Sequence, residues 1–424
     1  MKVFRFEEVP DALWRPAPPD FEDLRRAISV VEEVARDGDE AVRRHAQRFN
    51  EVEAGRSLEA GVDEREAAVQ ALDEPLRDAI GVAAARLTEA AERWMEHVCD
   101  MAWPLGDSRI QVWPMPVERA GCYVPGGRYP LPSSALMTVI PARTAGVEQV
   151  VVCSPKAAPV TIAAAHLAGA DRVFRIGGMH AIAALAVGTE TIPRCDVVVG
   201  PGNRYVQAAK AAVFGRVGVD LIAGATEVVI VADRSADPDL VAADLLAQAE
   251  HDAEARPILI ALDPALAERV PERVEARLAA LPTAETARNA IERAGCVIVT
   301  ENWVQAAEIV NRLAPEHLEV AVAEPEVFLA ECRHFGCAFV GPASFEVLGD
   351  YVLGTNHVLP TGGAARFTAG LSVLSFLRFP CVARTGPSDL PHLARAAASL
   401  ARAEGLHAHA EAALARLRSA APPH

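Results

Sequence analysis

The stretch DLLAQAEHDAEARP, residues 244 to 257, sets Gln248 and His251 three positions apart. Residues at i and i+3 share one face of a helix, so an amide oxygen and an imidazole nitrogen can be aimed at one point, and that point could hold a metal ion. The same spacing also describes an ordinary solvated face, so a metal centre here needs further ligands from distant segments. Three Gly-rich turns, YVPGGRYPLPSS, IGGMHAIAALAVG and VGPGNRYVQAAKAAVFG, join short apolar runs to helical patterns. Glycine lets backbone N–H groups approach a phosphate, and a following helix N-terminus favours an anion. No G-x-G-x-x-G fingerprint occurs, and each turn alone serves equally well as a tight strand-to-helix connection.

The elements that must position these residues are legible in the hydrophobic pattern. Residues 21 to 99 keep apolar positions three and four apart and read as helical. From about 121 onward, β-branched runs (VEQVVVCSP, DRVFRIGG, CDVVVGPGN, TEVVIVAD, RPILIALD, GCVIVT, CAFVGP) alternate with Ala-rich helical segments, which implies βαβ units and parallel sheets. The fold class is therefore α/β. In open α/β sheets ligands bind at the carboxyl ends of strands, so the chemistry is expected there. The last stretch reads as an amphipathic helix pair broken at Gly405, followed by a frayed APPH tail.

At 424 residues, with 51% hydrophobic and 23% charged residues, the chain has the composition of an ordinary soluble protein of two or three domains. A net charge of -16 argues against a nucleic-acid partner. The N-terminus lacks the apolar core of a secretory signal, and no run of about 18 apolar residues could span a bilayer, so a cytoplasmic location is expected. The cysteines are scattered without C-x-x-C pairing and read as small buried apolar residues.

The blocks AGCYVPGGRYPLPSSALMTVIPARTAGV, GTETIP, VGPGNRYV, IAGATEVVIVAD, DLLAQAEHD, APEHLE, GDYVLGTNHVLPTGGAARF and AEGLHAHAEA resemble, in order and spacing, the signature blocks of the histidinol dehydrogenase family. The resemblance implies two Rossmann-like parallel-sheet domains with helical N- and C-terminal extensions. By that pattern residues 1–24 form an N-terminal extension, 25–120 with 233–375 a discontinuous first α/β domain, 121–232 a second, NAD-binding domain, and 376–424 a helical, dimer-forming tail. It also implies a zinc-dependent, NAD-dependent homodimer that oxidises an amino alcohol through an aldehyde to a carboxylate, the last step of histidine biosynthesis. The metal ligands implied are Gln248, His251, Asp350 and His409, with His409 supplied across the dimer. One imidazole-containing N2O2 set suits zinc, and the weak glutamine donor leaves room for substrate nitrogens.

The same resemblance makes Glu316 and His317 the acid/base pair. A histidine near its free pKa can take the hydroxyl proton as hydride leaves, and a carboxylate can activate the water that attacks the aldehyde. Read without the family, Pro315-Glu316-His317 could equally start a helix, with the acid at the positive end of its dipole. Substrate contacts are implied at Thr226, His357 and Glu404, together with His317 and the metal ligands; NAD contacts are implied at Tyr123, His180 and Asn203.

Two positions depart from the family pattern. His180 stands where glutamine is usual, in GGMHAIAAL, and Thr226 where serine is usual, in GATE. Threonine keeps the hydroxyl but adds a methyl at the substrate. Paralogues that oxidise other small alcohols, including a sulfonated propanediol, share some of these blocks. A zinc-binding scaffold without turnover is a further alternative, against which the intact Glu316 and His317 speak. Glu319, GTETIP and Glu404 favour the histidinol enzyme.

Overall fold

The computed structural model describes residues 1–14, 20–126 and 129–419; positions 127 and 128 of the first Gly-rich turn and the APPH tail lie outside the described residues. The α/β reading holds. Strands Lys2–Arg5, Cys296–Val299, Arg256–Ala261, Glu227–Ala232, His317–Ala321 and Cys337–Val340 form, in that spatial order, a six-stranded sheet paired in parallel throughout. Its central runs EVVIVA and RPILIA are buried almost along their whole length, as expected of a parallel sheet covered on both faces. The register Val228↔His317 sets the start of one strand against the start of the next, bringing Thr226, Glu227 and Glu316 to the same edge. Helix Pro238–His251 begins with Asp237 accepting from the Asp239 N–H and with Pro238 in its first turn. It runs back over the sheet, so its last turn, carrying Gln248 and His251, arrives at that amino edge.

A second, five-stranded parallel sheet takes the order Arg172–Phe174, Gln149–Cys153, Arg119–Tyr123, Val197–Val199, Gly218–Val219. The Gly-rich turns sit at its carboxyl edge, as the rule for open α/β sheets requires. Gly200 there has φ +117°, and a Cβ on it would lie 2.1 Å from the Tyr123 carbonyl oxygen. Its N–H donates to Asp220 Oδ2 at 2.8 Å, while its carbonyl accepts from the fully buried Lys210 ammonium at 3.0 Å, which also pairs with Asp220. Gly200→Ala is therefore expected to cost about 3 kcal/mol or more, from backbone strain and steric overlap together. Urea denaturation of the variant checks this.

Several elements fall elsewhere than the sequence reading assigns them. Strand Glu227–Ala232, placed with residues 121–232, is hydrogen bonded at the centre of the six-stranded sheet, and Lys2–Arg5 is an edge strand of that sheet rather than part of an extension. Helix Phe21–Arg48, whose residues from 25 onward are assigned with 233–375, packs in one hydrophobic core with Phe174, Ile182, Leu185 and Val206 of the five-stranded unit. Chain proximity does not decide which sheet an amphipathic helix covers; the available apolar face does.

By compactness the chain divides into two units, Met1–Arg93 with Val117–Phe376, and Trp94–Pro116 with Leu377–His424. The second unit is more than a helical tail. Strands Met101–Leu105, Ser108–Val112 and Cys381–Arg384 form an antiparallel sheet, and Leu377–Arg378 pairs with Met115–Pro116. Helices Leu390–Ala403 and His407–Ser419 follow, separated at Gly405 with φ +77°. Among the described residues no helix is long and apolar enough to cross a membrane.

Candidate functional site

Three segments meet at the amino edge of the six-stranded sheet: the Thr226–Glu227 step, the Glu316–His317 step, and the last turn of helix Pro238–His251. Short helix Glu346–Tyr351 closes the fourth side. Pro315-Glu316-His317 starts a strand here, not a helix, because the following Leu-Glu-Val-Ala run pairs on both sides in the sheet. These residues lie at the amino ends of their strands, whereas the sequence pattern points to carboxyl strand ends. A helix returning antiparallel to its strand ends at the strand's beginning, and the polar residues of helix Pro238–His251 are in its final turn.

His251 Nε2 lies 3.4 Å from Asp350 Oδ2. His251, Glu346 and Asp350 offer ligating atoms all within 4.8 Å of one another. Glu346 was not singled out in the sequence, although its i, i+4 relation to Asp350 on one helix face was visible there. Glu319 orients this helix from below, its Oε1 accepting the Glu346 N–H at 2.7 Å.

The Gln248 amide is fully buried between two partners. One end lies 2.8 Å from Thr226 Oγ1, the other 2.5 and 3.1 Å from the Glu346 carboxylate oxygens. The Thr226 hydroxyl has a single proton and donates it to Glu316 Oε2 at 2.6 Å. The Gln248 nitrogen must then donate to Thr226, which turns its oxygen onto Glu346. Two acceptors face each other in that arrangement, and only a proton or a cation reconciles them. The opposite orientation lets the amide donate to Glu346 but takes the Thr226 proton away from Glu316. A cation beside the Gln248 oxygen, the His251 imidazole and the two carboxylates satisfies every group at once, so the donor set fits a divalent metal, and the imidazole favours zinc over magnesium or calcium.

Glu316 also accepts from the Glu227 N–H at 3.0 Å, and burial raises its carboxyl well above the usual range. That is the direction a base working near neutrality needs. Burial lowers the His317 imidazole to about 4, so it is neutral at physiological pH and a weaker base than a free histidine. Its Nδ1 faces the Glu227 carbonyl at 3.2 Å and Glu346 at 3.3 Å. His251 is shifted the other way, raised by its hydrogen bond to Asp350. His357 is held by the Asp350 carbonyl at 2.9 Å and by Ser134 Oγ at 3.1 Å, a serine the sequence reading passed over.

The remaining expected residues belong to other elements. Tyr123 and His180 meet at the start of helix Gly178–Val187, where the Tyr123 hydroxyl accepts the Gly178 N–H at 3.2 Å. Asn203 is exposed and caps helix Arg204–Val213, accepting from the Tyr205 and Val206 N–H groups. Glu404 and His409 are exposed residues of the second unit.

Thr226 joins Glu316 to Gln248, so removing its hydroxyl strands two buried partners at once. Thr226→Val is expected to lower stability by about 1–3 kcal/mol, the cost of buried polar groups left unsatisfied, whereas Thr226→Ser keeps the link. Chemical denaturation of both variants distinguishes the hydroxyl from the methyl.

Residues 19–417 match the family model described as histidinol dehydrogenase. The histidinol dehydrogenase of Rhodopseudomonas palustris is 44% identical over 411 residues, covering 96% of this chain and 95% of the relative. That of Rhizobium meliloti is 43% identical over 404 residues, covering 93% and 92%. The crystal structure of histidinol dehydrogenase from Elizabethkingia anophelis superposes with a TM-score of 0.90 at 31% identity, covering 99% of this chain and 98% of that one. With the fold, the signature blocks and near-complete coverage in agreement, the chain belongs to the histidinol dehydrogenase family.

Proposed function

We propose that the protein oxidises L-histidinol through the aldehyde to L-histidine, using two NAD, as a zinc-dependent homodimeric enzyme of the cytoplasm. The observation that carries this reading is the convergence of Thr226, Gln248, His251, Glu316, His317 and Asp350 on one sheet edge in a member of this family. Zinc at Gln248, His251 and Asp350, completed by His409 of the partner subunit, would supply a template for the substrate's amine and ring nitrogen. Glu346 stands beside that shell, able to join it or to meet the substrate's ammonium.

In the first half-reaction neutral His317 takes the hydroxyl proton while the carbon gives its hydride to NAD, leaving aldehyde, NADH and a proton. In the second, Glu316 takes a proton from water as the oxygen attacks the aldehyde carbon. The hydrated carbon then gives a hydride to a second NAD, leaving carboxylate. Thr226 holds Glu316 in place, His357 and Glu404 face the substrate, and Tyr123, His180 and Asn203 belong to the cofactor side.

The test is NADH formation by zinc-loaded protein at saturating NAD, with L-histidinol and, in parallel, 2,3-dihydroxypropane-1-sulfonate. Two NADH per histidinol is the expected result. Turnover of the sulfonate with silence toward histidinol would overturn the substrate assignment and make Thr226 the mark of a reshaped pocket.

A further inference from the structure

Position 180 departs from its family, and the fold shows where the departure leads. Only 2% of the surface of His180 is exposed. Its Nε2 lies 2.9 Å from Glu51 Oε2, and the same oxygen accepts the Gly177 N–H at 3.0 Å. The Glu51 side chain is itself 7% exposed. The His180 ring stacks on His45 at 5.5 Å and 16° and on Phe49 at 6.0 Å and 6°, both from the C-terminal end of helix Phe21–Arg48. Asn50, with φ 53°, then turns the chain so that Glu51 reaches the start of helix Gly178–Val187. Gly177 leaves the space this approach needs, because a Cβ there would stand 2.9 Å from Glu51 Oε1 and 2.5 Å from Pro155.

The two N–H groups of the Gly177-Gly178 turn are thus both taken by protein, one by the Glu51 carboxylate and the next by the Tyr123 hydroxyl. A carboxylate already occupies the place where a helix start would draw a phosphate, and like charge opposes a second anion there. The imidazole is buried, with one nitrogen committed to Glu51 and the ring stacked against His45 and Phe49.

We infer that His180 and Glu51 form one buried brace that shapes the Gly177-Gly178-Tyr123 wall of the cofactor side: they are positioning residues that touch no part of the dinucleotide, and this turn binds no phosphate. The inference rests on the proposal that this edge of the five-stranded sheet serves NAD. A brace of two members acts as a unit, so breaking either should have the effect of breaking both.

The experiment is steady-state kinetics of Glu51→Ala, His180→Ala and the double variant on the zinc-loaded enzyme, with melting temperatures and with Glu51→Gln, which retains an acceptor, as the conservative control. Each single variant is expected to raise the KM for NAD about tenfold, the double variant no further, with kcat within about twofold and the KM for histidinol unchanged; Glu51→Gln should recover most of the loss. A rise with His180→Ala alone, or additive rises in the double variant, overturns the brace and restores a direct contact at position 180. A general fall in kcat and melting temperature with a rise in both KM values reduces the pair to structure and also overturns it. Unchanged KM for NAD in active variants removes the turn from the cofactor side, a failure of the underlying assignment distinct from the other two.

Discussion

Glu316→Gln is expected to release one NADH per L-histidinol where the parent protein gives two, with the aldehyde accumulating or escaping. The amide oxygen of glutamine can still accept from the Thr226 hydroxyl and the Glu227 N–H, which hold the carboxylate at 2.6 and 3.0 Å, so the local geometry survives. What is lost is the ability to take a proton from water. Loss of a general base costs about 10²–10⁴ in rate, and that loss should fall on aldehyde oxidation. Alcohol oxidation, for which we propose His317 as the base, should change far less. Folding gives a control: burial already pushes Glu316 toward its protonated form, so replacing it by a neutral isostere should leave the melting temperature unchanged or slightly raised. Equal loss of both half-reactions, measured separately with the alcohol and the aldehyde, would refute the division of labour between Glu316 and His317.

The proposed division came from the resemblance, because APEHLE by itself also allowed a helix start. The strand His317–Ala321 exists because its neighbours on both sides are β-strands, information that no window of five residues contains. By contrast the Val- and Ile-rich runs from 149 onward announced themselves, since a strand buried on both faces must be apolar throughout. The Q-x-x-H face was readable by spacing, and Asp350 was reached through its block, but Glu346 was missed because a glutamate on a short helix looks like surface until Glu319 and Gln248 are packed against it. Glu51 was invisible for the same reason: it lies 129 residues from His180 in the chain. GTETIP, weighed as a mark of the substrate, turns out to clamp the helix Phe21–Arg48 at its break. Glu190 accepts the Asp39 N–H at 2.7 Å beside Gly38, and Thr189 donates to Asp39 at 2.5 Å. Its polar groups brace that break in the helix.

Mixing two inactive variants should restore activity, and this is the sharpest expectation for the metal centre. His251 and Asp350 stand together in the first unit, whereas His409 is an exposed residue of the second. If His409 of the partner subunit completes the shell, His251→Ala and His409→Ala each break both sites of a homodimer and abolish metal retention and turnover. In a mixed dimer, one site combines the intact His251 of the His409→Ala subunit with the intact His409 of the His251→Ala subunit, while the other site carries both lesions. Random reassembly of equal amounts makes half of all dimers mixed, each with one sound site of two, so about a quarter of parental activity and zinc content should return. The two single variants refolded alone supply the baseline, and metal analysis of the mixture reads the result independently of turnover. Recovery near that level would establish sites shared between subunits. No recovery from dimers shown by tagged co-purification to be mixed would place all four ligands within one chain, or remove His409 from the shell; metal content of the His409→Ala variant then separates the two, since a site complete without His409 keeps its zinc.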